Sequence, residues 1–348
     1  MKIISFNVGT THLMHFNKRL VVPFGEIEAD KRKRVKNLHF EIKSQIKKEK
    51  VDFLCIQEGF EELFPVNNRF EHLTEISKYE IKHGHIGNYK SSYLATYVDL
   101  DKYDIVENGH YNQEYQKKNF NTRTGLGYPC RTQIYELTVK STRKRFVLVN
   151  FHGVGDPRTE IREKFLVFLT EYLQQYYPIN EVIIVGDINT NLQKKTGKDD
   201  EITFTEYVRE GLFYDFNVFP KNENIKSSYH RFIRNPDNTF TDKPKRDRYD
   251  TLDYCLVKKQ MGQEVSVKRI PKRFNKMEVP YKLNTTKNIL EPNFNNFPSD
   301  HTLNIYHFKR KPGFLTPNRI RIPVYGKKKA RSTGSKKTKK KVRPNKSV

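Results

Sequence analysis

The chain has no tryptophan, three cysteines and four methionines, and nowhere a long uninterrupted apolar run. A membrane-spanning helix needs about 20 apolar residues, so no membrane association is expected. Cys55, Cys130 and Cys255 are far apart and form no zinc-binding spacing. Two of them sit inside the apolar runs FLCIQ and YCLV, where a free thiol behaves as a small hydrophobe. This usage excludes a disulfide scaffold and points to a reducing, intracellular compartment. The N-terminus, MKIISFNVGTTH, has neither the apolar stretch nor the small-residue cleavage site of a secretory signal. Acids are scarce as well: 40 against 65 Lys and Arg, a formal charge of +25 over 348 residues.

That charge is concentrated but not confined. Residues 327–348, KKKARSTGSKKTKKKVRPNKSV, carry eleven Lys or Arg and no acid; removing them from the total leaves +14. Polyanions, nucleic acid (DNA or RNA) foremost, are the natural partners of such a chain. The tail has no apolar periodicity, so residues 311–348 are expected to be a disordered basic arm behind a domain spanning residues 1–310. The arm reads as a nuclear address, a phosphate-gripping element, or both. A monomer is expected.

Short apolar runs recur, and each presents a polar group at or near an end. KIISF runs into Asn7, VDFLCIQ into Glu58, RFVLVNF into His152, and EVIIVG into Asp187 with Asn189 two residues on. TLDYCLV contains Asp253, and FPSDHTLNIYHF places Asp300 and His301 before an alternating, half-buried strand. Singly, each is ordinary turn chemistry. Together they suggest strands whose ends deliver groups from distant sequence to one place. Residues 31–50 put Val35, Leu38, Ile42 and Ile46 on one helical face, and a second helix is expected from Asp156-Pro157 to Pro178. Residues 220–248 and 262–298, broken by prolines, read as loops.

The ordered set SFNV, CIQE, VNFHGV, VGDIN, LDY and SDH, covering residues 3 to about 308, resembles the endonuclease/exonuclease/phosphatase superfamily. The resemblance implies the deoxyribonuclease I-like fold, an α+β (α/β) four-layer sandwich of two packed mixed sheets flanked by helices. It also implies a metal-dependent phosphoester hydrolase. Glu58 and Asp300 would serve Mg²⁺ (Mn²⁺ as an alternative), with Asn7 positioning the metal or water, in keeping with the preference of a hard cation for oxygen ligands. Asp253 would orient His301, Asp187 would orient or deprotonate the attacking water, Asn189 would hold a phosphate oxygen, and His152 would stabilise developing charge.

Two departures stand out. The family often has Arg two residues before the aspartate of LDY, where this chain has Thr251, with Arg248 the nearest arginine. The stretch 9–34, with His12, His15, Lys18 and Arg19, is longer than the family's usual first loop and offers candidate substrate contacts. The expected activity is a Mg²⁺-dependent nuclease or phosphodiesterase on nucleic acid. The alternatives are a phosphatase on a small phosphorylated molecule, tyrosyl-DNA phosphodiesterase-like end processing, and a nucleic-acid-binding protein without catalysis.

Overall fold

Strands that are apolar on both faces must be covered on both faces, and that requirement builds this molecule. In the computed structural model the described residues are 1–9, 28–59, 63, 70–81, 92–107, 131–153, 159–177, 181–190, 192, 216–221, 228–230, 232–234, 240–242, 248–259, 264–270, 281–284, 286, 289–292, 299 and 301–309. The basic tail, the stretch 10–27 with His12, His15, Lys18 and Arg19, Asp156-Pro157, Cys130 and Asp300 lie outside them.

The chain opens with β1 (Lys2–Asn7), α1 (Glu28–Glu49), β2 (Phe53–Gly59), β3 (Thr74–Ile81) and β4 (Ser92–Val98). There follow β5 (Tyr103–Glu107), β6 (Thr132–Val139), β7 (Lys144–His152), α2 (Thr159–Tyr176), β8 (Glu181–Asp187) and β9 (Phe216–Phe219). Four short strands come next: β10 (Ser228–His230), β11 (Phe232–Arg234), β12 (Phe240–Asp242) and β13 (Arg248–Asp250). The chain then forms β14 (Asp253–Lys258), β15 (Val265–Ile270), β16 (Tyr281–Asn284), β17 (Ile289–Pro292) and β18 (Leu303–Phe308).

Two six-stranded sheets result, in the orders β15-β18-β1-β2-β4-β3 and β5-β6-β7-β8-β14-β9. Each is mixed, with one parallel pair, β1 with β2 and β7 with β8, and antiparallel neighbours elsewhere. A parallel pair needs a crossover, and α1 and α2 supply the two crossovers.

Alternation along the strands sorts the core into three layers. Leu38, Ile42 and Ile46 of α1 pack on Ile4, Phe6, Leu54, Ile56, Leu303 and Ile305, with Val35 at the margin. Phe165, Phe168, Leu169 and Tyr172 of α2 pack on Val147, Val149, Ile184 and Leu256. Between the sheets lie Ile3, Phe53, Cys55, Phe146, Leu148, Ile183, Val185, Cys255, Val257, Tyr306 and Phe308. Burying one such side chain stabilises by about 1.5–3 kcal/mol, and Phe53→Ala at the centre would cost about 3–5 kcal/mol. Aromatic rings fill the volume a tryptophan would take: Phe53 meets Tyr103 at 4.6 Å and Phe146 at 5.9 Å between centroids.

Three expectations are corrected. Residues 262–298 are not wholly irregular, since β15 joins the first sheet and β16 pairs with β17. Residues 220–248 likewise include β10, β11 and β12 and reach the start of β13. The last strand is buried on both faces rather than half-buried, because Leu303 and Ile305 face α1 while Tyr306 and Phe308 face the second sheet.

Candidate active site

The alternation that fills the inter-sheet core also delivers the polar groups. Residues 3, 5 and 7 of β1, 146, 148, 150 and 152 of β7, 183, 185 and 187 of β8, and 253, 255 and 257 of β14 share the inward parity. The inward series of β1, β7 and β8 end in Asn7, His152 and Asp187, and that of β14 begins with Asp253. In the second sheet His152 pairs with Asp187, and Asp187 with Asp253, so three titratable groups stand abreast on β7, β8 and β14. Glu58 follows Gln57 and would face outward. A left-handed backbone at Glu58 (φ 50°) and a register break between Ile56 and Gly59 turn it inward instead. Gly186 is required beside Asp187, because a Cβ there would stand 1.8 Å from the carbonyl oxygen of Phe151.

The first sheet contributes Asn7, Glu58 and His301. Asn7 Nδ2 donates to Asp187 Oδ2 at 2.8 Å and to Glu58 Oε1 at 3.3 Å, tying the two sheets together across the site. His301 Nδ1 lies 3.0 Å from Asp253 Oδ2, and its Nε2 stands 3.8 Å from Asp187 Oδ2. Ser299 Oγ donates to the carbonyl of Asn7 at 2.8 Å and accepts from His301 N at 3.1 Å, fixing the turn that presents the histidine. His152 Nε2 is 3.3 Å from Glu58 Oε1 and 4.0 Å from Asp187 Oδ2. Asn189, also left-handed (φ 55°), donates its backbone N–H to Asp187 Oδ1 at 2.8 Å and its side chain to Gly153 O at 3.0 Å.

Asn7, Glu58, His152, Asp187, Asp253 and His301 are all buried. Burial pushes the Asp187 carboxyl above its ordinary range and the charge of Asp253 adds to this, against the pull of His301, His152 and the Asn189 N–H. Ligand atoms of Glu58, His152 and Asp187 lie within 4.8 Å of one another, so this group could hold a metal ion. Two carboxylates suit a hard divalent cation, and the imidazole admits Mn²⁺ as well. Glu58 is the metal ligand that the sequence pattern implies; Asp187 and His152, which that pattern assigns to the reaction, stand close enough to share the ion.

Sequence reasoning missed two supports. One is a polar layer between the sheets just beneath the site: Gln57 Nε2 donates to Asn150 Oδ1 at 2.7 Å, Asn150 Nδ2 to Thr96 Oγ1 at 3.0 Å, and Thr96 Oγ1 to Gln133 Oε1 at 2.6 Å. Gln57 and Asn150 at inward positions of otherwise apolar strands were the available signal. The other is Arg269 on β15, buried at 4% exposure, whose Nε donates to Asn304 Oδ1 at 2.8 Å and whose Nη2 reaches the carbonyl of Asp253 at 3.5 Å. It links β15 to the start of β14.

No protein-family model and no curated protein matches this sequence. Solved structures do match. The mannosyl-6-phosphatase Bt3783 of Bacteroides thetaiotaomicron is 13% identical with a TM-score of 0.53, over 88% of this chain and 99% of that one. TDP2 of D. rerio, complexed with a single-strand DNA product, is 12% identical with a TM-score of 0.52, over 88% and 98%. The catalytic domain of human Nocturnin with bound sulfate is 15% identical with a TM-score of 0.51, over 88% and 93%. At these identities the likeness is one of architecture: the chain has the deoxyribonuclease I-like fold of the endonuclease/exonuclease/phosphatase proteins.

Proposed function

We propose that this chain is a divalent-metal-dependent phosphoester hydrolase that cleaves phosphodiester bonds in nucleic acid. The observation that carries the reading is the convergence of Asn7, Glu58, His152, Asp187, Asp253 and His301 from two sheets onto one buried site.

Glu58, with Asp187, His152 and Asn7 near it and with Asp300 added on the strength of the sequence pattern, would hold Mg²⁺. That ion would supply electrostatic stabilisation of the charge that develops on a phosphoryl group. The chain's own residues do the rest. Asp253 accepts the Nδ1 proton of His301, which fixes the tautomer and favours the imidazolium. His301 Nε2 and Asp187 Oδ2, at 3.8 Å, are too far apart for a hydrogen bond. They are spaced to share a partner: a water on Asp187, or a phosphate oxygen on His301. Asp187, held by Asn7 and the Asn189 N–H and made more basic by burial, orients or deprotonates that water. Asn189 holds a phosphate oxygen, and His152 stabilises charge at the opposite side of Asp187.

Nucleic acid is favoured as substrate by the +25 charge and by the +14 left when the tail is set aside. In this reading the protein is a monomer and the arm 311–348 directs it to the nucleus. The test is incubation with labelled single- and double-stranded DNA and RNA, with and without Mg²⁺, followed by mapping of product ends. Mg²⁺-dependent cleavage of any of the four supports the reading. Release of phosphate from a small sugar or inositol phosphate, with all four polymers untouched, would replace it with a small-molecule phosphatase. Tight binding without turnover of anything would make the protein a nucleic-acid binder.

A further inference from the structure

The helix α1 has one face the active site does not explain. Leu38, Ile42, Ile46 and the buried Arg34, Gln45 and Glu49 point to the sheet. On the opposite side Lys33, Lys36, Phe40, Lys43 and Lys47 recur at intervals of three and four and share a stripe. Phe40, at its centre, is 73% exposed, the most exposed large hydrophobic side chain among the described residues. Four acids lie on the helix: Glu28 and Asp30 in its first turn, off the stripe by helical spacing, Glu41, also off the stripe and accepting from Gln45 at 3.0 Å, and Glu49, which binds Lys2 and Lys268.

A lysine-rich helical face is ordinarily solvated, with acids interspersed at i±4 to support the helix. Here Arg32 with Lys36 and Lys43 with Lys47 are like-charged pairs at that spacing, which disfavours the helix. Lys47 suits the negative end of the helix dipole; Lys36 and Lys43 are not at that end. The exposed phenylalanine between these cations contributes little burial to the fold. Both features are favourable against one kind of ligand, a strand of phosphates with unpaired bases. Lysines meet the phosphates, and the ring stacks on a base. A duplex, with its bases paired and enclosed, offers nothing to the ring.

The stripe is also placed to continue the site. Arg34 Nη1 donates to the carbonyl of Val8 at 2.9 Å, next to Asn7, so α1 begins at the catalytic end of β1. Lys2 Nζ reaches the carbonyl of Glu49 at 2.6 Å, so α1 finishes at the other end. Its 22 residues extend about 33 Å, with cationic or aromatic side chains about every 5 Å along the stripe.

Resting on the nucleic-acid reading above, we propose that this face of α1 is an extended binding surface for single-stranded nucleic acid leading away from the active site. The full-length chain is titrated, in EDTA to prevent cleavage, with labelled 20-nucleotide and 4-nucleotide single strands at several salt concentrations. Lys36→Gln/Lys43→Gln is expected to weaken binding of the 20-mer by at least about threefold at low salt. The same variant should reduce the salt slope by about 1.4, or about 0.7 for each phosphate that is no longer neutralised on a single strand. Phe40→Ala is expected to weaken it by at least about fivefold with the slope unchanged, because stacking releases no counterions. Phe40→Leu, which keeps an apolar helix-forming side chain, should behave like the alanine variant. Binding of the 4-mer should change less than that of the 20-mer in every variant. Circular dichroism melts of all variants confirm that the fold is kept.

A parent that binds and cleaves single strands while the variants match its affinity and slope would overturn the surface and leave the enzyme reading standing. A parent that cleaves no nucleic acid would overturn the enzyme reading instead. A lysine effect with no Phe40 effect would replace the single strand with a duplex. A parent that sediments as a dimer and becomes monomeric on Phe40→Ala would make the stripe an interface between two copies.

Discussion

Buried carboxylates gather both near the start of β1 and near its finish, and the two groups are treated in opposite ways. At the end where β1 starts, Asp52 accepts from Lys2 N at 2.8 Å and Lys102 Nζ at 2.9 Å, and Asp99 meets the same lysine at 2.8 Å. Glu49 meets Lys268 at 2.5 Å and Lys2 at 3.2 Å. At the end where β1 finishes, Glu58, Asp187 and Asp253 meet an amide, a backbone N–H and two imidazoles. Lysine cancels a carboxylate's charge; an amide holds it in place and leaves the charge for something else. Glu49 is accordingly held below its ordinary range, first by the hydrogen bond from Lys268, whereas burial holds Asp187 above it. In the proposed function the far end serves stability and the near end chemistry.

Activity should divide sharply between the two ends. His301→Ala and Asp253→Ala are each expected to lower turnover by at least about 10²-fold, the lower range for a positioned acid or base. Because Asp253 acts through His301, the double variant should lose little more than either single one. Multiplicative losses would show that the two residues work separately. Lys102→Met, at the far end, should leave turnover within about twofold of the parent, since it touches nothing in the site. A large loss there would dissolve the contrast.

The next effect is on metal. Glu58→Gln keeps the side-chain volume and removes one negative charge from the group that could hold the ion. The Mg²⁺ concentration for half-maximal activity is expected to rise by about tenfold or more, taking the weaker of the losses seen when metal-site support is removed. Parent-like activity at limiting Mg²⁺ would remove Glu58 from the metal.

Much of this contrast is legible in the order of residues alone. β1, β2, β7, β8 and β14 are short continuous apolar runs, and a strand covered on both faces cannot read otherwise. Their polar end residues are therefore conspicuous, and all of those that are described converge. β15, VSVKRI, is not legible: it alternates with Lys and Arg, lies at a sheet edge and is followed by Pro271. Arg269 is hidden with it, because only the folded sheet brings residue 269 beside Asp253. The inward turn of Glu58 is equally hidden, since it depends on a bulge and a left-handed residue that no side-chain pattern announces.

A smaller effect should appear in stability, with reversed sign. Asp187 is buried and its pKa raised, so the metal-free folded state disfavours its charge. Asp187→Asn removes that charge and keeps a single acceptor oxygen, for Asn7 Nδ2 or for the Asn189 N–H, so one of these two hydrogen bonds is lost. It is expected to raise the stability of the metal-free protein, relief of the buried charge outweighing the lost hydrogen bond, while lowering turnover. Denaturant unfolding in EDTA measures it, and a loss of stability would show that Asp187 belongs with the structural carboxylates of the far end.

The smallest effect lies at Glu49 and gives the contrast its pH dependence. A carboxyl whose pKa is lowered by folding contributes stability above its unfolded pKa and loses that contribution as pH falls through the folded one. Glu49→Gln should therefore cost about 1 kcal/mol or less at neutral pH, the range for ion pairs near the surface, and the deficit should shrink toward zero below the usual carboxylate range. For Asp187 the direction is opposite. A raised pKa means that the folded state takes up the proton first, so its penalty is present above the folded pKa and disappears as pH falls. The gain from Asp187→Asn should shrink on the acid side too, but from above zero rather than from below. Difference curves of unfolding free energy against pH, variant minus parent in EDTA, should thus approach the axis from opposite sides. Adding Mg²⁺ should separate them further: an ion beside Asp187 stabilises the charged form and turns the neutral-pH gain into a loss, while the Glu49 curve stays where it was. Two curves of the same sign, or a Glu49 curve that moves with Mg²⁺, would mean that the two ends are not electrostatically distinct.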